Sequence, residues 1–210
     1  MLRKNKDLLI KSMKINFAGR SNVVGKVLGC LEYAGLDFVD AALSLYEIKE
    51  QTRDWSRFVY SFNLLASQAV ELLPKSVIAT RICLEKNNKS SEEIHCAINK
   101  ELGCLGHKLD NIFNEVPELK KVLDISNIER FNSGGFVDEF RFTINGSGNA
   151  TEVCIKNLEG ARYGAFAKNP NFSSSYYKST VDFLKNLREK TVVIRVAMIQ
   201  KFDRKYALTN

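Results

Sequence analysis

The side chains in this 210-residue chain best suited to metal binding or nucleophilic chemistry are two histidines and five cysteines. His95, Cys96, Cys104 and His107 fall within thirteen residues, and Cys104-x-x-His107 has a spacing that zinc ligands use. His95 and Cys96 are neighbours on a predicted helix, about 100° apart, so a single metal ion would rarely contact both. We therefore predict no metal site and no cofactor. The expected alternative is a buried thiol at position 96 or 104 beside a hydrogen-bonded or capping histidine.

The cysteine content and the hydropathy of the chain predict the cellular compartment of the protein. The five cysteines are odd in number and include no C-x-x-C pair, which is typical of a reducing compartment. No apolar run reaches the roughly 18 residues of a transmembrane helix. Leu8, Leu9 and Ile10 are followed at once by Lys11, so no signal-peptide core forms. These features predict a soluble, cytoplasmic protein, and the two histidines leave little material for most hydrolase sites.

The net charge of +7 is concentrated at one end of the chain. Residues 1–26, here called the leader, carry a net charge of +6, whereas the remaining 184 residues carry +1. The leader is a candidate nucleic-acid-binding segment, because clustered cations bind phosphates by counterion release. Two alternatives are a solvated start that aids solubility and a basic helix that binds an anionic membrane surface. The cations are Arg3, Lys4, Lys6, Lys11, Lys14, Arg20 and Lys26.

Helical periodicity covers most of the chain. Predicted helices span 2–17, 23–49, 53–84, 91–103, 108–116, 118–131 and 174–206, with an N-cap at Ser90 or Ser91 and a kink before Pro74. β-branched residues within 192–199 also fit a strand, but helix is preferred because no strand remains to pair with them. The inward stripe of the helix over 23–49 is predicted to be Val24, Leu28, Leu31, Gly35, Phe38, Ala42, Leu45 and Ile48. Seven basic residues on the predicted last helix are interpreted either as a basic face that extends the surface of the leader or as ordinary solvated exterior, which is the usual role of such charge on a helix: Lys178, Lys185, Arg188, Arg195, Lys201, Arg204 and Lys205.

One segment alternates with the period of a β-strand. Phe136, Phe140, Phe142 and Ile144 alternate with polar residues before a glycine-rich turn, and Val153 and Ile155 alternate after it. The sequence therefore predicts a mainly α protein. We expect one helical bundle over 27–210, following the leader and carrying a β-hairpin insertion at about 134–156.

Four short segments follow one another along the chain in a recognisable order. They are residues 31–46, Ala69-Val70-Glu71-Leu72-Leu73-Pro74-Lys75, Gly106-His107-Lys108-Leu109 and Ala161-Arg162-Tyr163-Gly164. Taken in order, these segments resemble the HEPN-like superfamily of prokaryotic helical-bundle proteins. The first looks like its opening helix, the second is similar to the A-x-E-L-x-x-K pattern of its second helix, the third resembles the start of its third helix, and the fourth resembles the Leu-Arg-Tyr element before its last helix. The resemblance covers roughly residues 28–190.

The resemblance implies an antiparallel bundle of four or five helices, often a homodimer, of toxin–antitoxin, phage-defence or RNA-processing systems. Ribonucleases of that superfamily use an Arg-x(4–6)-His motif. In this chain the nearest arginine before either histidine is Arg81, fourteen residues before His95, so the motif is absent. The departure favours a non-catalytic member that binds a protein, nucleotide or RNA partner.

The candidate anion- or nucleotide-binding residues are Arg162, Tyr163, His107 and Lys108, because an Arg–Tyr pair in a loop offers a charged donor and a stacking ring. In the alternative interpretation Arg162 and Tyr163 only close the bundle. The competing function is a metal-independent ribonuclease with a non-standard site, which could use Arg162, His107 and Asp110.

Overall fold

A computed structural model describes residues 22–52, 58–132, 138–145, 150–157 and 174–207. Within these ranges lie six helices and three strands, so the prediction of a mainly α protein is confirmed, whereas a bundle of four or five helices is not. The predicted helix over 2–17 and nearly all of the leader lie outside the described residues. The elements are α1 (Asn22–Thr52), α2 (Val59–Glu85), α3 (Ser91–Leu105), α4 (Leu109–Asn114), α5 (Pro117–Val122), β1 (Ile125–Asn132), β2 (Asp138–Ile144), β3 (Thr151–Asn157) and α6 (Ser174–Ala207).

Helix α2 is the central element of the fold. Every residue from 73 to 80 is buried, which is more than two full turns, and the helix packs against α1, α3, α4, α6 and β3. Pro74 lies inside it and cannot donate a backbone hydrogen bond to Val70. The hydroxyl of Ser76 donates to the carbonyl of Leu73 at 2.6 Å, and that of Thr80 to the carbonyl of Ser76 at 2.8 Å. The helix therefore satisfies these buried hydroxyls with its own carbonyl groups.

Helices α1 and α2 approach each other closely at a glycine. A Cβ atom placed on Gly35 would lie 2.9 Å from Cδ2 of Leu73 and 3.3 Å from its backbone nitrogen. The inward line of α1 runs through Glu32, Gly35, Val39 and Ala42. The predicted stripe was wrong in part, since Leu31, Phe38 and Leu45 are only half-buried and Ile48 is exposed. Hydropathy alone predicts the wrong set of inward-facing residues on α1, because the observed inward line includes the charged residue Glu32.

The two ends of α3 are determined by the residues next to them in the sequence. Ser90 caps the helix by accepting from the backbone of Glu93 at 3.2 Å, while the Glu93 carboxylate accepts from the backbone of Ser90 at 2.9 Å. This confirms the predicted cap and matches the capping-box pattern. Helix α3 ends at Leu105, and its C-cap is Gly106, whose φ of +57° is accessible to glycine at little cost. The turn places the next residue, His107, beside α2.

A three-stranded antiparallel sheet covers one side of the helices, in the order β1-β2-β3. Phe142 of β2 pairs with Ile128 of β1 and with Val153 of β3. Its ring meets Phe113 of α4 and Phe183 of α6, with centroids 5.2 Å apart in both cases. The predicted hairpin is therefore present as β2 and β3, although residues 146–149 of its turn lie outside the described residues.

The prediction of a helix over 118–131 was wrong beyond residue 122. The chain leaves α5, passes through Asp124 with a φ of +55°, and enters β1 at Ile125. Pairing with β2 supplies the backbone hydrogen bonds of this segment, and a register shift between Ile125 and Asn127 hides its two-residue alternation in the sequence. The last helix is α6, so the strand alternative for 192–199 was wrong.

Within the described ranges, no helix combines the length and the apolar character needed to cross a bilayer.

Candidate functional site

A buried ion pair on α2 forms the base of the candidate site. Nζ of Lys75 lies 2.6 Å from Oε1 of Glu71, and both side chains are less than a tenth exposed. Residues four apart face the same side of a helix, so α2 itself brings the two groups together. Removing Glu71 would leave the buried charge of Lys75 without its counter-charge, which is strongly unfavourable.

His107 covers this pair from the surface. Its Nδ1 lies 2.9 Å from Oε2 and 3.0 Å from Oε1 of Glu71, and half of its side chain is exposed. A carboxylate can only accept, so Nδ1 donates the hydrogen bond. The other ring nitrogen, Nε2, is then an acceptor in the neutral imidazole and a donor in the charged one. Glu71, Lys75 and His107 are called the Glu71 cluster below.

The Glu71 cluster is suited to two kinds of chemistry. Lys75 offsets the charge of Glu71, so a protonated His107 adds one positive charge at the surface. The next residue, Lys108, is exposed at the start of α4 and adds a second. Together they can bind an anion such as a phosphate group by charge-assisted hydrogen bonds. A neutral His107 held by a carboxylate could instead accept a proton from a substrate.

The structure places the residues predicted for this site as follows. His107 and Lys108 are adjacent and accessible. Arg162 and Tyr163 lie outside the described residues, as do the leader cations up to Arg20. Lys26 belongs to α1, but its side chain is not among those described. The carboxylate that contacts His107 is Glu71. From the sequence, Glu71 was quoted only as part of the second-helix pattern, and the acid named for the ribonuclease alternative was Asp110.

The histidine and cysteine group around α3 is not brought together. His95 is within 3.2 Å of the amide nitrogen of Asn99, and His107 turns to Glu71. Within the described ranges, no three His, Cys, Asp or Glu side chains are placed to hold a metal ion. The prediction of a buried thiol at 96 or 104 was wrong, because both are exposed and the buried thiols are those of Cys83 and Cys154.

The basic face predicted on the last helix is present only in part. Arg195 is fully buried against Glu32 of α1, so including it was wrong, and Arg188 pairs with Asp40 of α1. Lys178 and Lys185 are exposed about 20° apart around α6, whereas Lys201, also exposed, lies about 160° from Lys185. Arg204 is exposed, and the side chain of Lys205 is not among those described.

Sequence reasoning missed the two buried carboxylates, Glu71 and Glu32. The four-residue spacing of Glu71 and Lys75 was an available signal for their ion pair. Their contact with His107 joins residues 36 apart, and that of Glu32 with Arg195 joins two distant helices. Because the partners of each contact lie far apart in the sequence, no residue spacing indicates either contact.

The chain was compared with models of known protein families, with curated proteins and with solved structures, and none of them matches it.

Proposed function

We propose that this chain is a HEPN-like helical bundle that binds the phosphate group of a nucleotide or of RNA, without turning over a substrate. The observation that carries the proposal is the hydrogen bond between half-exposed His107 and buried Glu71, next to exposed Lys108. It supports the HEPN-like resemblance because Glu71 and Lys75 come from its second-helix pattern and His107 from its third-helix pattern. Segments that resemble the superfamily in different parts of the sequence thus contribute to one cluster.

The electrostatic argument concerns the net charge of the site. The Glu71–Lys75 pair is neutral as a unit, so His107 and Lys108 determine the charge that a ligand meets. Anchoring Nδ1 fixes the ring and reduces the rotational freedom lost on binding. Arg162, Tyr163 and the leader cations are further proposed contacts, and the leader would supply the salt-dependent part of the affinity for RNA. From the resemblance we also infer that the protein is a cytoplasmic homodimer. We infer further that it binds a protein partner in a toxin–antitoxin or phage-defence system.

Binding is tested by titrating the full chain with fluorescein-labelled single-stranded RNA and, separately, with ATP. We expect His107→Ala to weaken binding about ten- to a hundred-fold, since a charge-assisted hydrogen bond contributes about 1.5–3 kcal/mol. His95→Ala is the matched control, because His95 contacts Asn99 on the outside of α3. Lys108→Ala and Lys100→Ala form a second pair, both exposed. Equal affinities for wild type and His107→Ala, or no binding by wild type, contradict the proposal.

The second candidate is a metal-independent ribonuclease, and the same hydrogen bond favours it. A carboxylate that accepts from Nδ1 holds an imidazole in the tautomer whose Nε2 can take a proton, here from a ribose 2′-hydroxyl. An RNA-cleavage assay on wild type, His107→Ala and His95→Ala distinguishes the candidates. Cleavage by wild type that is lost only in His107→Ala selects the enzyme and overturns the binding-only proposal.

A further inference from the structure

The guanidinium of Arg195 on α6 contacts two other helices inside the core. Nη1 lies against Oε2 of Glu32 on α1, and Nε donates to Oγ1 of Thr80 on α2 at 2.8 Å. The side chains of Glu32 and Arg195 are both no more than 1% exposed. Because bulk water does not reach this ion pair, its polar atoms depend on partners within the core.

The hydrogen bonds around this ion pair are incomplete. Among the residues that the structure describes, no hydrogen-bond partner exists for Oε1 and Oε2 of Glu32, Nη1 of Arg195 and Oγ1 of Thr191. Oε2 and Nη1 face each other in the ion pair, so the atoms that still need a partner are Oε1 and the Thr191 hydroxyl. Thr191 precedes Arg195 by one turn of α6 and is also fully buried, which places both side chains on the same face of the helix.

The hydroxyl of Thr191 differs from the other buried hydroxyls near the ion pair. Those of Ser76 and Thr80 each donate to a carbonyl of their own helix, and Oγ1 of Thr80 also accepts from Arg195. Within the described ranges, the Thr191 hydroxyl forms no such bond to α6. Folded proteins rarely leave a buried polar atom without a partner, because the cost of its desolvation is then not offset.

The chemistry of the atoms at this position indicates which partner they can bind. A carboxylate oxygen only accepts a hydrogen bond, a guanidinium nitrogen only donates one, and a hydroxyl does both. A partner must therefore donate to Glu32 and accept from Arg195 at the same time. Water does both, and its small size suits a site between packed helices.

We propose that Glu32, Thr191 and Arg195 bind one water molecule inside the core. The water donates one hydrogen to Oε1 of Glu32 and accepts a hydrogen bond from Nη1 of Arg195. A third hydrogen bond joins it to the hydroxyl of Thr191. Three such contacts are typical of a buried water molecule. The water restores part of the hydration that the ion pair loses on burial, which makes two charges tolerable in this core.

The number of bound water molecules tests the proposal in the full chain. Oxygen-17 magnetic relaxation dispersion counts the water molecules that stay bound for longer than the protein takes to rotate. Thr191→Val keeps the shape of the side chain and removes only the hydroxyl, so we expect this variant to hold one such water fewer than wild type. Thr151→Val is the matched control on exposed β3, and its count should equal that of wild type. An unchanged count in Thr191→Val would overturn the proposal.

The melting temperature of the same variant provides a second readout. Losing a hydrogen bond between Thr191 and the water should lower it by about 2–4 °C relative to wild type. An unchanged or higher melting temperature would show that the hydroxyl has no partner in the folded protein, and would contradict the proposal. A lower melting temperature with an unchanged water count would also contradict it, because Thr191 would then bond directly to another side chain.

Discussion

Nδ1 of His107 lies 2.9 Å from Oε2 of Glu71, across 36 residues of sequence. The two partners differ in exposure, since the imidazole is half exposed and the carboxylate 7% exposed. The contact therefore connects the surface of the protein to its central helix. Because Glu71 also pairs with buried Lys75, the two ends of this cluster should respond differently to substitution.

Substituting Glu71 should cost far more stability than substituting His107. Glu71→Gln leaves Lys75 buried without its counter-charge, so we expect a loss of about 3 kcal/mol in the free energy of unfolding. His107→Ala should change it by no more than about 1 kcal/mol, because solvent screens a half-exposed pair. Urea denaturation measures both values, with Glu92→Gln as an exposed control on α3. Equal losses for Glu71→Gln and Glu92→Gln would show that the buried pair does not form.

Alanine substitution should change the stability of the protein in opposite directions at two glycines, one at the contact between α1 and α2 and one on α3. Gly35→Ala places a Cβ 2.9 Å from Leu73 and close to its backbone, so we expect a loss of about 1–3 kcal/mol from overpacking. Gly103→Ala, inside α3, meets no atom within 4 Å and should stabilise the protein by about 0.5–1 kcal/mol through helix propensity. Thermal and urea unfolding measure both. A neutral Gly35→Ala would mean that the two helices lie further apart than described.

The thiols should fall into two reactivity classes. Cys30, Cys96 and Cys104 are exposed and should react quickly with a thiol reagent in the native protein, while Cys83 and Cys154 should react only after unfolding. Burial raises the pKa of Cys83 from 9.0 to about 12, so the folded state disfavours its thiolate. The contribution of this group to stability is complete below pH 9.0 and decreases as the pH rises towards 12. Mass spectrometry of labelled peptides assigns each site, and rapid native labelling of Cys83 would contradict its burial.

Features with local causes could be predicted from the sequence. The cap at Ser90 and helix α6 depend on neighbouring residues and on a long apolar repeat, and both are present. Strand β1 could not be predicted, because its hydrogen bonds come from β2 and its bulge breaks the alternation. The contacts between different helices and strands could not be predicted from the sequence either.

The positions of the charged residues also depended on contacts between distant parts of the chain, which the sequence does not reveal. Arg195 was placed on an exposed face because charge at helical spacing usually is exposed, yet Glu32 compensates it inside the core. His107 was singled out as a candidate, but its partner Glu71 lies in α2, 36 residues earlier in the sequence. Residue type indicated which side chains could do chemistry, whereas their partners depended on tertiary packing.

The most direct test of the proposed binding site uses the fact that the chain has two histidines. Nuclear magnetic resonance of full-length protein with isotope-labelled histidine gives one imidazole system for His107 and one for His95, assigned with the two alanine variants. On addition of short single-stranded RNA or of ATP, the account predicts that the His107 signals shift in a saturable way while those of His95 stay in place. Unchanged His107 signals at ligand concentrations that saturate any other binding, or equal shifts of both histidines, would contradict it.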